Sequence, residues 1–125
     1  MVTDMGKIAF LVMTSPYSFQ NSDTVLKLAH AALKAGHEVI GIYLYTDGVY
    51  INVNTIKPSD DRDRNIASLF KELVDKGVTV VSCPICAEYR GTANEDLLIE
   101  GTGFDGLGAL SEFVQEADRV LIVTA

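Results

Sequence analysis

Two residues of this chain combine a reactive side chain with a spacing that suggests chemistry: Cys83 and Cys86, in "VSCPICAEYRG". They are the only cysteines of the chain. A C-x-x-C pair has three chemical uses. It supplies half of a zinc site, it exchanges a disulfide, or it offers one nucleophilic thiol beside an incidental neighbour. A fourth reading involves no chemistry: free cysteines are commonly small buried hydrophobes.

A structural zinc needs four ligands. Besides the cysteines, the borderline-soft donors are His30 and His37. His30 falls inside a predicted helix, and His37 falls at the end of the predicted sheet opposite Cys83. No second C-x-x-C is present, so no metal site is expected within one chain. A redox pair needs a low-pKa thiolate at a helix start and a resolving cysteine one turn later, and Cys83 and Cys86 have that spacing. A persulfide carrier needs a thiolate that takes sulfur from a donor and offers it to an acceptor thiol. A strand-to-helix turn favours the anion through backbone N–H groups and the positive helix end. Arg90 adds positive charge if the segment folds back.

The elements that position these thiols follow from periodicity. "KIAFLVM" from Lys7, "EVIGIYLY" from Glu38, "VTVVS" from Val78 and "RVLIVT" from Arg119 are apolar runs suited to strands buried on both faces. Val25, Leu28, Ala29, Ala32 and Leu33 share one helical face, with Asn21, Ser22 or Asp23 as cap and Gly36 as stop. Ile66, Leu69, Phe70, Leu73 and Val74 repeat that spacing, and Leu107, Leu110, Val114 and Ala117 predict a last helix. For Phe104, Leu107 and Leu110 core packing is the default, with subunit contact as the alternative. "PICAEYRG" reads as a short helix with Pro84 at its first position. Residues 46–64 read as a polar connection whose "SDDRDR" is a solvated run before a helix. Residues 92–105 hold a small helix and one short strand.

Strands alternating with helices make a parallel sheet covered on both faces. Functional groups then gather at the carboxyl ends of the strands. Three features reach that edge: the loop with Tyr17, Ser18 and Gln20, the Asp47-Gly48 turn, and Cys83. The loop residues are candidates to line a pocket around the cysteine, or they make turns and caps. Asp47 is no thiol activator, since a nearby carboxylate raises a thiol pKa.

The 125 residues fit one domain, 1–125, with a core that needs no staple. A net charge of −7 and ten scattered Lys and Arg argue against direct nucleic-acid binding. There is no membrane-length apolar run and no signal-peptide pattern, so the expected location is cytoplasmic. "GTGFDGLG" lacks the dinucleotide-binding context, and no cofactor is expected.

The order of several stretches resembles the DsrE/TusD family of sulfur-relay proteins. "SPYSFQNSDTVLKLAHAALKAGHEV" resembles its first loop and helix, and "YTDGVY" its motif after strand two. Cys83 followed by Arg90-Gly91 resembles the active-cysteine segment, and "GLGALSEFVQEADRV" the C-terminal signature. The resemblance implies a three-layer α/β/α fold with a five-stranded parallel sheet, and a persulfide on Cys83. It implies small sulfur-carrier proteins as donor and acceptor, in tRNA 2-thiolation or in sulfur oxidation. It also implies homotrimers, homohexamers or hexamers of related subunits, some of which lack a working cysteine. Where the family carries a run like C-V-A-A-A, this chain has "CPICA". Cys86 is therefore an addition that either resolves a Cys83 persulfide or simply packs.

Overall fold

The computed structural model describes residues 5–125. Strand β1 (Lys7–Val12) leads through a loop to helix α1 (Asn21–Lys34), and β2 (Glu38–Leu44) runs into a 3-10 turn at Thr46–Tyr50. Helix α2 (Ile66–Asp75) precedes β3 (Val80–Ser82), which passes directly through Cys83 into α3 (Pro84–Arg90). A second 3-10 turn (Glu95–Leu97), β4 (Gly103–Phe104), α4 (Leu107–Glu116) and β5 (Arg119–Val123) complete the chain. All strand pairings are parallel, in the order β4-β3-β2-β1-β5.

Alternation along the strands divides the core into two. On one face Phe10, Val12, Ile42 and Leu44 pack under α1 and α2 through Val25, Ala29, Phe70 and Leu73. On the other, Tyr43 packs with Val49, Cys83, Cys86 and Ala87, flanked by Leu11, Leu110 and Phe113. Helices thus cover both faces, giving the three layers expected. No helix among the described residues is long and apolar enough to cross a membrane.

Four local readings change. Helix α1 starts at Asn21, not after it, and Gln20 occupies the cap position without a side-chain cap bond. Asn21 instead donates to Thr14 Oγ1 and the Thr124 carbonyl, tying the helix start to the ends of β1 and β5, while Asp23 pairs with Arg64.

Residues 46–64 are not uniformly a solvated connection. Val49, Ile51 and Asn52 are fully buried. The 3-10 turn lies so close to β1 that a Cβ on Gly48 would stand 2.2 Å from the Val12 carbonyl oxygen. Asn52 tolerates burial because its side chain accepts from Ser82 Oγ at 3.0 Å and donates to Thr102 Oγ1 at 3.1 Å.

Strand β3 is three residues long rather than five. Helix α4 forms where expected, but it turns Leu110 and Phe113 to the sheet and leaves Leu107 and Val114 about half exposed. The reason is steric: α4 seats the Phe113 ring directly on Gly41 of β2. Core packing thus holds in part for Leu110 and Phe104 and fails for Leu107.

Candidate functional site

Cys83 occupies a junction. Its backbone N–H donates to the Leu44 carbonyl at 2.9 Å, extending the ladder between β3 and β2. Its backbone is extended, and it is the N-cap of α3. Pro84 fits the first helical position because no N–H is needed there. Gly91 closes the helix in the left-handed conformation at φ +75°, a cost-free geometry only for glycine. Within this frame Cys83 Sγ accepts the backbone N–H of Cys86 at 3.3 Å. A sulfur stands where a serine or aspartate oxygen usually caps, so any negative charge on it meets the Cys86 N–H and the positive helix end. Both cysteines are free and nearly buried, 5% and 8% exposed.

Beneath the sulfur lies Tyr43. It pairs in register with Val81, and Cys83 follows two residues later on the same face. The Tyr43 hydroxyl donates to the Asp105 carbonyl at 2.9 Å. Burial holds that hydroxyl protonated well above the usual tyrosine range, with Cys83 as the next cause through its charge and a hydrogen bond. Sequence reasoning passed over Tyr43. The signal for it is a hydroxyl within a mostly apolar strand that leads to the functional edge.

Burial also pushes the Cys86 thiol up, aided by its hydrogen bond to Cys83 and opposed by the Thr46 backbone N–H and Arg90. Cys86 keeps its proton and can donate, whereas Cys83 is placed to accept.

Of the other predicted residues, Asp47, Gly48 and Arg90 gather beside the cysteines. Arg90 donates from Nε to Asp47 at 2.7 Å and from Nη1 to the Cys86 carbonyl at 3.1 Å. Its charge is paired with Asp47 rather than aimed at Cys83. Gly48 serves the close approach to β1. The Tyr17 hydroxyl accepts from the Ile66 N–H and donates to the Arg64 carbonyl, so it ties the first loop to the start of α2. With Ile56, Lys57, Pro58, Ser59, Asp63 and Arg64 it lines a separate groove of about 430 Å³. Ser18 and Gln20 are exposed. The loop and the cysteine share the sheet edge, but the hydroxyl of Tyr17 is committed elsewhere. His37 accepts the Gly6 N–H on Nδ1 at the far end of the sheet, and no group of three or more metal-ligating side chains forms among the described residues.

Comparison with known proteins adds to this geometry. The sequence model of the DsrE/DsrF-like family matches residues 6–123. The chain is 32% identical to the putative sulfurtransferase DsrE of Allochromatium vinosum, covering 93% of this chain and 97% of that one. It is 31% identical to the sulfurtransferase TusD of Salmonella newport, covering 92% and 98%. The crystal structure of the ychN protein from E. coli superposes with a TM-score of 0.84 at 25% identity, covering 95% of this chain and all of that one.

Proposed function

The chain belongs to the DsrE/DsrF-like family, and from that premise we propose that it is a sulfurtransferase that carries sulfane sulfur as a persulfide on Cys83. The observation that carries the reading is the placement of Cys83 Sγ as the acceptor at the start of α3, 3.3 Å from the Cys86 N–H. Two relatives bearing sulfurtransferase names support it.

The chemistry has two displacements. The Cys83 thiolate attacks the outer sulfur of a donor persulfide, and the donor leaves as a thiolate. The thiolate of an acceptor then attacks the outer sulfur on Cys83, which returns to the thiolate. Donor and acceptor are cysteines of small sulfur-carrier proteins, because the nearly buried sulfur is served best by a partner that docks its own thiol against α3. The same exchange serves tRNA 2-thiolation and sulfur oxidation, so the docking carrier selects the route. Reduced cysteines suit the cytoplasm.

Residues 1–125 act as one domain, supported by a single sheet shared between both core clusters. Exposed Leu107, Val114, Leu121 and Ile122 support assembly with further copies or related subunits.

Incubation with a sulfane-sulfur donor tests the reading. Intact mass should rise by one sulfur in Cys86→Ser and stay unchanged in Cys83→Ser. A Cys86→Ser variant that gains no sulfur refutes it.

A further inference from the structure

Cys86 is an addition in the active-cysteine segment, and the structure does not leave it at a distance. Its N–H holds Cys83 Sγ at 3.3 Å, and both side chains share one buried cluster with Tyr43, Val49 and Ala87. Two cysteines at this spacing on a helix start close a disulfide without unwinding the helix.

From this juxtaposition we propose a second activity: Cys86 discharges the sulfur held on Cys83 as hydrogen sulfide, leaving a Cys83–Cys86 disulfide. The proposal rests on the reading of Cys83 as the persulfide carrier. In the step, the Cys86 thiolate attacks Cys83 Sγ, the inner sulfur of the persulfide. A bond forms between the two Sγ atoms, and the bond from Cys83 Sγ to the outer sulfur breaks. The bonding pair leaves with that sulfur as hydrosulfide, which takes up the proton released by Cys86. The sulfane sulfur is reduced to sulfide and the two cysteines are oxidised to one disulfide, so electrons balance within the protein. A dithiol reductant, exchanging through a mixed disulfide, returns the pair to two thiols.

Burial determines when this happens. An external thiol must gain access to a sulfur on a residue that is 5% exposed, whereas Cys86 is already there. The protonated state of Cys86 restrains the step at neutral pH, because only its thiolate attacks. The groups around it act in both directions: Cys83 and burial hold the proton on, and the Thr46 N–H and Arg90 favour its loss, with Arg90 itself paired to Asp47. Discharge thus removes sulfur that no carrier collects.

The test uses the full chain, anaerobic, loaded with inorganic polysulfide, freed of excess reagent and left without added thiol. Released sulfide and intact mass are followed together. The wild type should release one sulfide per loaded chain and end two hydrogen masses below the reduced protein. In Cys86→Ser the loaded mass should persist about tenfold longer or more, reflecting the loss of an intramolecular nucleophile; Cys86→Ala provides the same comparison if the serine variant folds poorly. Equal persistence in wild type and both variants overturns the discharge while leaving the carrier reading intact. A protein that gains no sulfur in any variant retaining Cys83 and releases no sulfide removes both.

Discussion

Arg90 reaches back across 43 residues of sequence to hold Asp47, Nε to Oδ1 at 2.7 Å, while its Nη1 holds the Cys86 carbonyl at 3.1 Å. One guanidinium thus fastens the last turn of α3 to the turn that follows β2. The pair is partly exposed, so its electrostatic worth is small, ~0.2–1 kcal/mol. Its effect is positional: it holds α3 closed over the two thiols. Arg90→Ala should lower stability by about 1 kcal/mol, yet speed alkylation of both cysteines several-fold. Arg90→Lys keeps the charge and loses the two-pronged bridge, so its labelling should follow the alanine variant. Alkylation rates resolved by mass spectrometry check this, and unchanged rates would show that the bridge does not govern access.

The Phe113 ring of α4 sits directly over Gly41 of β2. A Cβ at Gly41 would lie 2.4–2.6 Å from three atoms of the Phe113 ring. Gly41→Ala should cost about 1–3 kcal/mol through overpacking, read from urea denaturation. Adding Phe113→Leu should recover part of the loss, since the two sites share one contact and their effects are coupled.

Alkaline pH should weaken the fold through the same two groups that surround Cys83. Both Cys86 and Tyr43 have folded pKa values raised above their ordinary 9.0 and 10.0, chiefly by burial. The unfolded chain therefore loses these protons first. Their contribution is complete below the ordinary values and is lost as pH climbs through the folded ones. Denaturation midpoints should fall from about pH 9 upward, and the fall should be shallower in Cys86→Ser and in Tyr43→Phe. A profile identical to wild type in both variants would place the alkaline loss elsewhere.

The uncovered side of the sheet's edge offers a further check. Ile122 lies in register with Leu11 on β1 and is 60% exposed, and Leu121 is 39% exposed. If this surface joins subunits, Ile122→Glu should lower the mass measured by light scattering while leaving the circular dichroism of the chain unchanged. A wild type that is monomeric at micromolar concentration would count against the interface.

Much of this architecture is legible in the chain itself. Strands β1, β2 and β5 and helices α1, α2 and α4 announce themselves through runs and periodicity, because the solvent-to-core pattern is local. Cys83 at a strand end was legible for the same reason. The depth of Ile51 and Asn52 was not: it depends on Gly48 meeting Val12 and on Asn52 finding Ser82 and Thr102, partners 30 and 50 residues away. Tyr43 was missed because a tyrosine in a buried strand is indistinguishable from filler until its hydroxyl has a position. Tyr17 and the cysteine belong to one sheet edge, which is all that the sequence order conveys. Which way a loop hydroxyl points is decided by its partner, here the backbone of Arg64 and Ile66.

Cys83 ends a ladder with its N–H and begins a helix with its sulfur, so under the proposed function the cargo and this backbone contact share one atom. When that sulfur is drawn into a persulfide or a disulfide, its electron density no longer belongs wholly to the Cys86 N–H. The exchange rate of a single amide hydrogen then becomes a gauge of occupancy. If Cys83 is the proposed carrier, deuterium uptake at residue 86 should follow its filling and emptying, without any label at the sulfur.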